Sequence, residues 1–277
     1  MGRGIFKSRD PEKNNVDKAT LDKPKQFKQI LDEQIEAGMH EFNRSNTGLF
    51  FSAFSAGLEI GFSFLFMCII YSLFLEDVSM AQQRFYLAMC YPLGFIFVII
   101  GRSELFTEHT AMAILPLLKK IVTIKELLVL WGIVYAGNLL GGYLFSFLIT
   151  SLGPKIGFTD YRAFEYIAVH LVDYSWDVIF ESAIFAGWMM GLLGWLVTSS
   201  QETISRIVVV IMVTAIIGMG GFHHCIVGSV EVFSGFLVSP KVTFMDYLKF
   251  QAWATLGNAL GGSIFVAVLK FSHVRLK

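Results

Sequence analysis

The sequence predicts an all-α membrane protein of six transmembrane helices, laid out as two inverted three-helix repeats in which spans two and five are broken. Three observations carry this. Hydrophobic residues fill 55% of the 277 positions, Phe alone occurs 27 times, and charged residues make up 16%. Soluble domains carry about 25% charge and shorter apolar runs. The apolar positions gather into six blocks, Leu49–Leu75, Tyr86–Leu118, Leu127–Thr150, Val178–Thr198, Ile204–Val238 and Tyr247–Phe271. Blocks three and six share a G-N-x-L-G-G motif, "GNLLGG" from Gly137 and "GNALGG" from Gly257.

The chain before the first block divides in two. Residues 1–23 are polar and read as a disordered cytoplasmic tail, with no apolar core of a signal peptide. Residues 24–45 space Phe27, Ile30, Leu31, Ile35, Met39 and Phe42 at helical intervals, which predicts an amphipathic helix, either lying at the membrane surface or solvated with no membrane role. The transport domain is expected over 46–271, its repeats over about 46–150 and 175–271, with 272–277 a second cytoplasmic tail.

Blocks one, three, four and six each suit a single span. Block two is too long for one span and contains "GRSELFTEHT", Gly101–Thr110; block five is also too long and contains "GFHHCIVGSV", from Gly221. Asn138 and Asn258, within the shared motif, lie 120 residues apart, and the same offset carries Gly101 onto Gly221. The two interrupted blocks are therefore repeat partners. A three-span unit is odd, so its second copy enters the membrane from the other side. Broken helices at matched places in inverted repeats point to a transport site near the bilayer midplane. Three charges there would cost about 8–10 kcal/mol against lipid, so Arg102, Glu104 and Glu108 must face a bundle or a pore. Asn138 and Asn258 can satisfy backbone freed at each break, and their flanking glycines let helices approach closely.

Lys119, Lys120 and Lys125 follow block two, Lys270, Arg275 and Lys277 follow block six, and the loop from Ser151 to Asp177 is acidic on balance. This bias predicts both termini cytoplasmic. The net charge of zero speaks against a nucleic-acid partner. Cys68, Cys90 and Cys225 sit in apolar blocks without metal-ligand spacing and read as buried thiols. No nucleotide loop, metal constellation or nucleophile–base pair marks an enzyme, and neither a metal nor a cofactor is expected.

The paired motifs resemble the formate/nitrite transporter family. "SELFT" (Ser103–Thr107) is similar to the family's first broken-helix loop, "GFHHCI" to its second, and the Asn-x-x-Gly helices match as well. The likeness runs from about Asp32 to the C-terminus, with details nearest a less-characterised branch that has a bacterial inner-membrane member. It implies an aquaporin-like protomer assembled as a pentamer in the inner membrane, one pore per protomer. It further implies that His224 is the central pore histidine, with Thr107 opposite and His223 a structural neighbour. Leu105, Phe106 and Met190 would form the outer constriction, and Tyr91, Phe95 and Ile217 the inner one. Glu104 matches an acidic loop position that holds the break.

Two departures bear on substrate. Leu171 stands where the family carries an outer lysine, with His170 the nearest cation, and Gly228 stands where an Asn is usual. Glu59, Glu181 and Glu231 add acids within the blocks; Glu59 and Glu181, 122 residues apart, suggest a symmetry-related pair. Arg102 would compensate, either as a pore cation or in an ion pair with Glu104, Glu181 or Glu231. A histidine between two apolar constrictions, with an unperturbed pKa of about 6.5, could exchange a proton with a small acid. The sequence thus predicts a channel for small monovalent anions or their conjugate acids. A non-conducting protein of the same fold and a channel for cations or neutral solutes are the competing readings.

Overall fold

The computed structural model describes residues 23–74 and 78–275. The expected tail over 1–23 lies almost wholly outside the described residues, as do residues 276 and 277. Every regular element described is helical: α1 (Phe27–Phe42), α2 (Asn46–Phe74), α3 (Met80–Cys90), α4 (Pro92–Gly101), α5 (Phe106–Met112), α6 (Ile114–Leu118) and α7 (Ile124–Ile156). There follow α8 (Tyr161–Val172), α9 (Trp176–Ser199), α10 (Thr203–Gly220), α11 (Val227–Val238), α12 (Phe244–Gly262), a π-helical turn over Ser263–Val268 and α13 (Leu269–Arg275).

Among the described residues, five stretches are long and apolar enough to cross a membrane: α2, α3 with α4 (Met80–Gly101), α7, α9 and α10. The sixth apolar block is divided among α12, the π turn and α13, and α12 carries Asp246, Lys249 and Gln251. The stretch read as an acidic loop is largely helical. Helix α7 runs on to Ile156, where Gly157 ends it with a left-handed φ of 79°, and α8 follows with an Asp160 side-chain cap.

Local chemistry sets the helix starts. Ser79 with Gln82, Thr123 with Glu126 and Thr243 with Asp246 form reciprocal capping boxes. The junction of α3 and α4 falls at Tyr91–Pro92, where proline removes a backbone donor and frees a carbonyl. Ser63 of α2 bridges the junction: its hydroxyl donates to the Tyr91 carbonyl (2.6 Å) and accepts from the Gly94 amide (2.8 Å).

Helix α1 is amphipathic as its periodicity predicts, but its apolar face meets protein. Ile30, Leu31 and Ile35 cluster with Leu115, Trp195 and Phe271. Gln34 Nε2 donates to the Gly194 carbonyl (3.0 Å) and to Thr198 Oγ1 (2.5 Å), so α1 is seated on the C-terminal end of α9.

Two helix pairs form the frame. Helix α2 packs closely on α7, and α9 on α12. Glycines permit the approach, since a Cβ on Gly57 would stand 2.2 Å from the Asn138 carbonyl oxygen and one on Gly187 would stand 2.2 Å from that of Asn258. Gly141 and Gly261 are as tight, each meeting a carbonyl oxygen of the facing helix at 2.1 Å.

Candidate permeation site

Each interrupted block stops in the same way. Helix α4 ends at Gly101, and Arg102 takes a left-handed φ of 59°; α10 ends at Gly220, and Gly221 takes a φ of 63°. The Ser103 amide then donates back to the Val98 carbonyl, and the Phe222 amide to the Ile217 carbonyl. The extended backbone that follows is held by one buried asparagine at each break. Asn138 Oδ1 accepts from the Phe106 amide (2.8 Å), while its Nδ2 donates to the carbonyls of Glu104 and Ala53 (both 2.8 Å). Asn258 Oδ1 accepts from the Cys225 amide (2.8 Å), while its Nδ2 donates to the carbonyls of His223 (3.0 Å) and Ala183 (2.7 Å). The side-chain amide offers one acceptor and two donors, which is what an interrupted helix beside an intact one needs.

These matched bonds correct the expected register. Within the breaks the correspondence is Glu104 with His223 and Phe106 with Cys225, an offset of 119 rather than 120, so Gly101 corresponds to Gly220. In α2 and α9 it is Ala53 with Ala183, an offset of 130. Glu59 and Glu181 are therefore not equivalent. Glu59 accepts from Ser55 Oγ (2.7 Å) and is half-buried, whereas Glu181 is exposed on α9. The breaks also differ slightly in extent: non-helical backbone covers 102–105 and 221–226, so Thr107 and Gly228 lie inside α5 and α11.

Across the two breaks, Thr107 Oγ1 and His224 Nε2 stand 2.9 Å apart, and both side chains are buried. His224 Nδ1 accepts from the Ile226 and Val227 amides, both at 3.3 Å. That assigns the ring hydrogen to Nε2, which donates to the Thr107 hydroxyl. Phe95 packs edge-on against the same imidazole, with centroids 5.3 Å apart. His223 is tied on both nitrogens: Nδ1 faces Ser182 Oγ (2.9 Å) and Nε2 faces the Leu171 carbonyl (3.1 Å).

Arg102 departs from expectation. It is exposed, and among the described residues it makes no ion pair. Glu104 instead takes its cation from Arg44, whose Nη1 lies 2.7 Å from Glu104 Oε1 and 2.7 Å from Glu41 Oε2. The other Glu104 oxygen faces His109 Nε2 at 2.6 Å. Sequence reasoning missed Arg44 and His109 as partners. Arg44 follows Glu41 by three residues just beyond α1, a spacing that brings the two together once the helix forms.

A cavity of about 130 Å³ reaches His224 from the molecular face opposite α1. Met80, Arg84, His170 and Tyr174 line its open part, and Tyr91, Ile217 and Glu231 its depth. Tyr91 and Ile217 thus stand on the side away from α1. Leu105 follows the Arg44-bound Glu104, and Met190 is one turn from the Gly194 that α1 touches, so both stand on the α1 side. Leu105 and Met190 thus lie toward α1, and Tyr91 and Ile217 toward the cavity mouth. All six residues assigned to them are buried.

Comparison with known proteins agrees with this architecture. The family model described as "Formate/nitrite transporter" matches residues 28–272. The inner membrane protein YfdC of Escherichia coli (strain K12) is 31% identical, covering 95% of this chain and 85% of that protein. The uncharacterized transporter YrhG of Bacillus subtilis (strain 168) is 27% identical, covering 88% of this chain and 91% of that one. Among solved structures, an FNT family ion channel superposes with a TM-score of 0.80 at 18% identity, covering 88% of this chain and 98% of its own. A pentameric formate channel with formate bound superposes with a TM-score of 0.70 at 22% identity, covering 84% and 98%. Interrupted helices, paired asparagines and matching over nearly the whole length converge on one conclusion: the chain belongs to the formate/nitrite transporter family.

Proposed function

We propose that the protein is a channel for small monovalent anions of the formate and nitrite type, or their conjugate acids. It would sit in a bacterial inner membrane as a homopentamer with one pore per protomer and both termini cytoplasmic. Its spans would form two inverted sets of three, with α12 and α13 completing the sixth. The observation that carries the reading is the buried Thr107–His224 pair, which joins the two helix breaks at the end of a cavity. Named relatives support it: formate channels FocA of Escherichia coli (strain K12) and Haemophilus influenzae are 22% and 24% identical.

The mechanism follows from what an apolar slit admits. Leu105, Phe106 and Met190 close one side of the pair, and Tyr91, Phe95 and Ile217 the other. A bare anion in such a slit loses hydration that no protein charge replaces, whereas the neutral acid crosses at small cost. Between the slits the permeant needs a hydrogen-bond donor. With His224 Nε2–H donating to Thr107 Oγ1, the Thr107 hydroxyl hydrogen is free to point at an incoming oxygen. Proton exchange by His224 itself requires Nδ1 to release the Ile226 and Val227 amides. Such exchange would therefore accompany relaxation of the second break. Arg102, outside the buried set, would act at a pore mouth or a protomer boundary.

Flux into proteoliposomes under a pH gradient tests this. Formate, nitrite and acetate should enter and potassium should not. His224→Phe should abolish anion flux while leaving the oligomer intact. Potassium flux in the wild type, or full formate flux in His224→Phe, would refute the assignment.

A further inference from the structure

Glu231 lies on α11, seven residues beyond His224, and faces the same cavity at 3% exposure. Among the described residues it has no ion-pair partner. Cys68 of α2 and Tyr91 between α3 and α4 lie within range of its charge, and Met67 of α2 and His224 at the second break line the same cavity. Tyr166 and His170 of α8 and Arg84 of α3 line the cavity further out, and Tyr247 of α12 is engaged with Ser229 (2.9 Å). Glu104, the half-buried acid of the first break, is occupied by Arg44 and His109. His224 cannot take a second proton without giving up both amide contacts to Nδ1.

We infer that Glu231, rather than His224, is the group that holds and delivers the proton in this pore. The inference rests on the anion-channel reading above. An ionised Glu231 would repel an anion in so small an apolar cavity, whereas a protonated one is both neutral and a donor. The anion entering the cavity takes the proton. The Glu231 O–H bond breaks, its electron pair stays on Glu231 as carboxylate, and a new O–H bond forms on the permeant. Hydronium from solvent in the cavity then reprotonates Glu231 and leaves water. One anion and one proton cross together, and no net charge moves. Desolvation makes the permeant more basic in the cavity, which favours the transfer.

Formate flux into proteoliposomes, with pH varied on the cavity side and membrane potential recorded, provides the test. Wild-type flux should rise about tenfold per unit fall in pH on the alkaline side of the titration, and should be electrically silent. Glu231→Gln should flatten that dependence and make the remaining flux electrogenic, while Glu231→Asp should restore coupling. Retention of the wild-type pH slope and electroneutrality in Glu231→Gln would overturn the inference. Infrared difference spectra give a readout independent of transport. A protonated-carboxyl C=O band should be present in the wild type and absent from Glu231→Gln. Its absence from the wild type would overturn the inference too. If wild-type vesicles pass no anion yet show the band, the channel reading fails and the assignment of a proton-holding carboxyl stands.

Discussion

Asn138 and Asn258 show how single side chains make a broken helix tolerable inside a membrane protein. Removing one leaves a backbone amide and a loop carbonyl without a buried partner, at about 1–3 kcal/mol per group. Asn138→Ala and Asn258→Ala should each lower thermal stability in detergent, by about 2–5 kcal/mol in an unfolding measurement. Arg102 should behave in the opposite sense. It occupies a left-handed conformation where the other half of the molecule has Gly221, and its side chain is exposed. That conformation costs an L-residue about 1–2 kcal/mol. Arg102→Gly should therefore leave stability unchanged or raise it by about 1 kcal/mol. A loss would mean that Arg102 bonds across a protomer boundary.

At the scale of helices, what positions the site is the close approach of α2 to α7 and of α9 to α12. Neither pair has room for a methyl group at Gly57 or Gly187, where the obstructing atoms are the backbone carbonyls of Asn138 and Asn258. Forcing the helices apart there would also pull the asparagine side chains from their loops. Gly57→Ala and Gly187→Ala should reduce the yield of folded protein, as read by size-exclusion chromatography, and Gly132→Ala should not. Gly132 sits on α7 with nothing within 4 Å of an added Cβ. Equal yields for all three would refute the packing argument. Helix α1 adds a clamp of another kind: through Arg44 it joins Glu41 to Glu104, tying the surface helix to the first break.

For the molecule as a whole, the outer surface is the informative part. Phe51, Phe62, Phe147, Phe185, Ile211 and Met212 are all exposed, in a chain whose buried interior is already filled. Such a belt suits lipid and neighbouring copies rather than water. Native mass spectrometry in mild detergent should give an assembly of five 31.1 kDa chains. A monomer under those conditions would contradict the pentameric reading.

The helical class, the two interruptions and the asparagines that face them could be read before any coordinates, because each leaves a periodic or repeated mark along the chain. Apolar runs report the solvent a helix must face, and G-N-x-L-G-G recurs since two helices solve the same backbone problem. The pairing of charges could not be read that way. Arg102 and Glu104 are neighbours in sequence, yet a left-handed turn sends the arginine outward, and Glu104 receives its cation from Arg44, 60 residues away. The register of α2 against α9 was equally hidden. An offset of 122 between two glutamates looked like symmetry, while the bonds made by Ala53 and Ala183 set it at 130. Ion pairs and repeat register depend on which atoms meet across helices, and insertions between the repeats change the numbering without changing those meetings. The cavity joining His224 to Glu231 belongs to the same class, because it is a space between elements and has no counterpart in any one of them.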